Sequence, residues 1–238
     1  MPESPTMTEM PFVIIGRGVY SVRDASRLTR IAPRRIRRWL RGYDFESPLG
    51  RRHSEAVLHR DFAAFKDLWL SFADLVEIRF IDAFRKAGVS WASIRLAAQR
   101  AEEILKLDHP FSTRRFKTDG HTIMTDIAAG SRAPELLDLV QNQLAFKQIV
   151  DPYLYRSLEF GPTSQAARWW HEDGHRKVVV DPARSFGKPI VAKEAVPTRV
   201  IFDAFLAEQS IERVATVLEI SNASASAAVE FERRLAAA

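Results

Sequence analysis

The stretch SVRDASRLTRIAPRRIRRWLR, residues 21–41, decides how this chain is read. Ser21 followed three residues later by Asp24 is a short capping box, so a helix begins there. Val22, Ala25 and Leu28 then recur on one face of that helix. Ile31-Ala32 makes a tight turn. Pro33 suits the first position of a second helix, where its missing N–H would be unpaired in any case. Ile36, Trp39 and Leu40 share one face of this second helix. At roughly 100° per residue, Arg34, Arg38 and Arg41 fall opposite them, with Arg37 beside and Arg35 on the flank. Helix, turn and arginine-faced helix make the layout of a helix-turn-helix, whose second helix is shaped for a DNA major groove.

Working outward, residues 43–53 (YDFESPLGRRH) alternate turn formers with aromatics and predict a small β-hairpin, or wing, tipped by Arg51, Arg52 and His53. Between residues 17 and 52 the arginines Arg17, Arg23, Arg27, Arg30, Arg34, Arg35, Arg37, Arg38, Arg41, Arg51 and Arg52 face only Asp24, Asp44 and Glu46, and there is no lysine. A solvated helix face ordinarily mixes signs and uses lysine. Arginine is the residue that pairs bidentately with phosphates and guanine edges. The candidate DNA-binding set is therefore Arg23, Arg34, Arg35, Arg37, Arg38, Arg41, Arg51 and Arg52.

Composition sets outer bounds. A chain of 238 residues can hold a large core and two domains. The formal net charge of +5 is consistent with a nucleic-acid partner. There is no cysteine, which excludes disulfides, thiolate catalysis and cysteine-based zinc sites. Residues 1–15, rich in Pro, Ser, Thr and Met, read as a flexible leader without the features of a signal peptide. No window approaches a membrane span, and the expected location is cytoplasmic.

Residues 54–107 read as helical, with a break at Gly88 and a cap at Ser90. Asp119-Gly120 is a strong hairpin signal. Leu136–Ile149 predicts another helix. LEFGPTSQAARWW and RKVVVDP predict two short strands around a turn, and everything after Pro197 is helical: 198–207, 211–218 capped by Ser210, and roughly 223–236. The last pair forms a second, weaker helix-turn-helix candidate. Residues 177–238 balance eight basic against eight acidic side chains, so this end has no electrostatic drive toward a polyanion and suits a protein partner better.

One motif invites a different reading. His171-Glu172-Asp173-Gly174-His175 matches H-E-x-x-H, the zinc-protease signature. That chemistry needs a helix to bring both imidazoles to one face. Here Asp173-Gly174 lies between strand-like flanks and reads as a turn. No catalytic residue, metal site or cofactor is expected.

Two stretches resemble known families. VYSVRDASRLTRIAPRRIRRW (19–39), with FADLVEIRFIDAFRKAGVSWASIRLA (72–97), is similar to a MerR-type winged-helix head and the helix pair behind it, without that family's long dimerising helix. KVVVDPARSFGKPIV (177–191) and VPTRVIFDAFLAEQSIERVATVLEI (196–220) resemble the small helix-turn-helix domain of VapB-like antitoxins, through the spacing of Asp181, Pro182, Gly187, Lys188, Pro189, Val196, Pro197 and Thr198.

The expected fold class is mainly α with small β-hairpins: an N-terminal winged helix-turn-helix plus a C-terminal three-helix helix-turn-helix domain. The expected divisions are a leader (1–15), the winged head with supporting helices (16–108), connecting hairpins and a helix (109–175), and the antitoxin-like domain (176–238). The pairing implies a DNA-binding antitoxin of a type II toxin–antitoxin module. Such a protein represses its own promoter on operator DNA and neutralises a PIN-like ribonuclease toxin. A homodimer is expected, because operators are commonly palindromes matched to two-fold symmetric proteins. The alternative is a MerR-like ligand-responsive regulator without a toxin, which requires an apolar pocket in the middle of the chain.

Overall fold

In the computed structural model, which describes residues 15–48, 50–129, 156–171 and 176–237, Ser21 does cap a helix. Its hydroxyl accepts from the Asp24 N–H while the Asp24 carboxylate takes the Ser21 N–H, and α1 runs Val22–Thr29. Arg30 adopts a left-handed conformation that ends α1, and α2 runs Pro33–Arg41 with Pro33 in its first turn. Val22, Ala25 and Leu28 of α1 are buried against Ile36, Trp39 and Leu40 of α2, as the spacing predicts. Gly42 turns the chain out of α2 at φ +73°, where an added Cβ would run into the Ser54 carbonyl. The wing follows as β2 (Tyr43–Ser47) paired antiparallel with β3 (Gly50–Ser54); β1 (Tyr20–Ser21) pairs with β4 (Trp69–Leu70) behind the head.

The reading of 54–107 as helix holds only from Phe72 onward. Residues 55–68 form turns that wrap back over the head, with Val57 N–H bonded to the Trp39 carbonyl and Phe62 buried. Ser71, with Asp74, caps α3 (Phe72–Lys86), and Ser90 caps α4 (Trp91–Leu105). Helix α3 is buried on all sides, which explains why its apolar run is nearly continuous. Phe80 stacks on Phe111 at 4.1 Å and meets Phe116 edge-on at 5.0 Å. Phe80, Phe111 and Phe116 are buried in the chain's own core.

The hairpin expected at Asp119-Gly120 is overturned. Helix α5 runs Arg114–Ala129 straight through it. Phe116, Ile123, Met124, Ile127 and Ala128 are buried with helical spacing, and their packing outweighs the local turn preference. The two strands expected between 153 and 182 are three, joined by a fourth. A sheet of order β5-β6-β7-β8 is built from Leu158–Phe160, Ala166–Trp170, Val178–Val180 and Pro189–Val191, all antiparallel neighbours. Gly161–Gln165 turns inside the first of the two stretches. The expected leader up to residue 14, the helix at Leu136–Ile149 and the turn at Asp173-Gly174 lie outside the described residues. Three helices close the chain: α6 (Thr198–Glu208), α7 (Ile211–Val217, capped by Ser210) and α8 (Asn222–Ala236, capped by Ser221). The fold is mainly helical with small antiparallel sheets.

Among the described residues the buried apolar side chains form two clusters. One buried cluster unites the head, α3, α4 and α5 with Trp169, Val178 and Val180 of the sheet and with Ala227, Phe231 and Leu235 of α8. A second, smaller cluster sits inside the last three helices and includes Val191, Ile201, Val214 and Ala225.

Candidate nucleic-acid interface

The core face of α2 leaves its basic residues no choice of direction. With Ile36, Trp39 and Leu40 buried, Arg34, Arg35, Arg37, Arg38 and Arg41 are all exposed. Arg34, Arg37 and Arg41 have no acidic partner among the described residues, and neither do Arg23 on α1 and Arg52 on the wing. Arg38 lies over the Tyr43 ring at 4.2 Å, which holds its guanidinium near the surface without neutralising it. Arg35 is different. It pairs with Asp82 of α3 at 3.2 Å and leans over Trp39 at 5.2 Å, so it ties the second helix to the body.

The wing carries its own restraint. Asp44 sits across the strand from His53 and accepts from Arg51 at 2.6 Å and from the His53 ring at 2.7 Å. Hydrogen bonds from His53 and Arg51 hold its carboxyl below the usual carboxylate range. Arg51 is thus paired with Asp44, whereas Arg52 has no acidic partner among the described residues. Arg95 of α4 donates to the Ser54 hydroxyl and the Glu55 carbonyl, pinning the base of the wing. Tyr43, Asp44, Asp82 and Arg95 were not singled out by the sequence. Only the Asp44 pairing was accessible there, through the hairpin register.

His171, the first residue of the zinc-like motif, is turned inward. Its Nε2 is 3.1 Å from the Leu28 carbonyl at the end of α1, and its ring meets Phe231 edge-on at 4.8 Å. Burial drives its pKa down to about 4, against the opposing effect of the Leu28 hydrogen bond. One ring nitrogen of His171 is thus engaged by a backbone carbonyl. Among the described residues no group of three ligating side chains could hold a metal ion.

Behind the head lies a cavity of about 340 Å³, whose walls include Arg17, Asp61, Lys106, Asp108 and His109. Phe72, Leu107, Ala166 and Pro182 complete the wall beside these charged groups. His109 is buried, with Nε2 3.2 Å from Asp61 and Nδ1 3.9 Å from Asp74. Burial alone would disfavour its charged form, but Asp61, Glu77 and Asp74 outweigh that and raise its pKa to about 9. Burial raises Glu77 to about 8 and Asp74 to about 6.

Two short helices joined by a turn, followed by a two-stranded antiparallel hairpin and set on a helical body, define the class: a mainly helical fold with small antiparallel sheets. Among known structures it is similar to the crystal structure of Rv2018 from Mycobacterium tuberculosis, with a TM-score of 0.65 and 23% sequence identity over 88% of this chain and 96% of that one. At this identity the likeness is one of fold. No protein-family model matches the chain, and no curated protein does.

Proposed function

We propose that this chain is a DNA-binding antitoxin that reads operator DNA through α2 and the wing and neutralises a PIN-like ribonuclease through its C-terminal part. The observation that carries the DNA half is the α2 face, where Arg34, Arg37, Arg38 and Arg41 stand exposed, backed by Ile36, Trp39 and Leu40. Unneutralised arginines on a helix that projects from a fixed core suit a major groove, and Arg52 on the wing suits a phosphate strand. The antitoxin half rests on the resemblance of residues 177–220. Asp181 and Thr198 of that motif are buried, Asp181 receiving Arg168 at 2.9 Å. The C-terminal helices also expose Val200, Leu206 and Val217, Val217 by 67%, and a homodimer or toxin contact would cover such side chains.

Binding to a duplex from the chain's own promoter, followed by fluorescence anisotropy over a salt series, tests the first half. A slope of log affinity on log salt near zero would remove it. Co-expression with the neighbouring reading frame tests the second half: a ribonuclease that co-purifies stoichiometrically and is inhibited supports it. Mass in solution decides the homodimer.

A further inference from the structure

The last helix reaches back to the first helix of the head. Glu232 of α8 is 3% exposed and uses both carboxylate oxygens. Oε1 accepts from the Thr198 hydroxyl at 2.7 Å, at the start of α6. Oε2 accepts from Arg27 in the last turn of α1 at 3.2 Å. One residue beyond Arg27, the Leu28 carbonyl meets His171, whose ring rests on Phe231 of the same α8. Ala227, Phe231 and Leu235, spaced at one turn, lie in the core that α1 and α2 share, whereas Ala225 and Ala228 of α8 lie in the C-terminal core. Helix α8 thus belongs to both cores.

A buried carboxylate persists only when paired, and this one is paired on two elements at once. Its position fixes the end of α1 relative to α6, and α1 is the platform on which α2 is set. We infer that Glu232 is a positioning residue for DNA binding: through Arg27 it holds α1, and with it the arginine face of α2, in the orientation that meets the duplex. The inference rests on the reading of that face as the DNA interface. It makes the C-terminal helix part of the reading head, although it is remote from the head in sequence.

Electrostatics and positioning give opposite signs here, which makes the test sharp. Removing an acid from a DNA-binding protein should tighten binding if charge alone matters. Glu232→Gln keeps the volume and the acceptor for Thr198 but loses the charge against Arg27. Full-length protein is titrated onto a mixed-sequence duplex across a salt series, and hydrogen exchange of α1 amides is followed in the free protein. Glu232→Gln should bind about threefold to tenfold more weakly, the size expected of a coupling residue. The salt slope should stay unchanged, since no phosphate contact is lost. Exchange should quicken in residues 22–29 but not in the wing. Glu230→Gln, an exposed neighbour with the same change of charge, should bind as wild type or slightly tighter. Arg27→Gln breaks the pair from its half-exposed end and serves if Glu232→Gln does not fold. Combined, the two changes should cost little more than the worse single one. Unchanged affinity and α1 exchange in Glu232→Gln, or strict additivity, overturns the inference. A wild-type chain that binds no duplex at any salt overturns the reading of the interface instead.

Discussion

At the scale of single residues, the proposed interface separates arginines without an acidic partner among the described residues from those already paired. Arg34 and Arg38 lie opposite the core face of α2, so replacing either by alanine should cost about 1–3 kcal/mol on the cognate site and relax its sequence preference. Binding assays on matched and scrambled operators check this, and wild-type affinity in both variants would mean that α2 docks by another face. Arg51 is held by Asp44. Asp44→Asn should therefore release it, tightening binding to any duplex and steepening the salt slope by up to about one ion. The buried cluster around His109 makes a separate prediction about stability. Glu77 takes up its proton more readily folded, with a pKa of about 8 against 4.5, so its contribution is lost as pH rises between those values. His109, raised from 6.5 to about 9, contributes fully below 6.5 and loses that contribution as pH rises through 9. Both slopes have the same sign, so the melting temperature should fall from neutral pH toward pH 9. Glu77→Gln should flatten the lower part of that fall. A melting temperature that holds or climbs over this range contradicts the assigned titrations.

At the scale of elements, caps and faces were legible wherever a helix carries its own signal. Ser21, Ser90 and Ser210 cap as their positions imply, because a side-chain oxygen one residue ahead of a helix acts within a few residues of itself. Asp119-Gly120 shows the limit of such reasoning. Its turn preference is local and weak, and the apolar contacts of Phe116, Ile123 and Met124 hold the segment helical. The docking of the sheet on the head is likewise invisible along the chain. Tyr20 donates its hydroxyl proton to the Gly187 carbonyl at 2.9 Å, and Gly187 sits at φ +80° with no room for a side chain against the Tyr20 ring. Gly187→Ala should destabilise the protein by more than the 1 kcal/mol or so of a backbone effect alone, because it adds a clash to a left-handed conformation. Denaturant unfolding, with circular dichroism as readout, measures it.

At the scale of the molecule, the two ends share a buried cluster. The shared core places Phe231 and Leu235 of α8 among the side chains of the head, and Glu232 and His171 hold α1 from outside it. A chain cut after Gln209 loses α7 and α8. It should melt at much lower temperature and lose duplex binding, although every candidate DNA-contacting arginine remains. Deleting a side chain such as Phe231 to alanine should by itself cost about 3–5 kcal/mol. Thermal melts of the shortened chain beside the full one decide the matter, and a truncated chain that melts and binds as the full one does would show that the head stands alone.

The sequence by itself determined the parts that depend on near neighbours: the two helices of the head, the side of α2 that faces outward, the wing, and the three closing helices. Periodicity, caps and charge are written at separations of a few residues, and the helix geometry converts them directly into faces. Tertiary structure alone decided which arginines are engaged, with Arg35 drawn to Asp82 and Arg27 to Glu232. It also decided that α5 runs on through Asp119-Gly120, that Phe80, Phe111 and Phe116 pack together in the core, and that α8 closes against α1. Each of these depends on contacts between residues far apart in the chain, where burial of apolar surface and the need to pair every buried charge outweigh local preference.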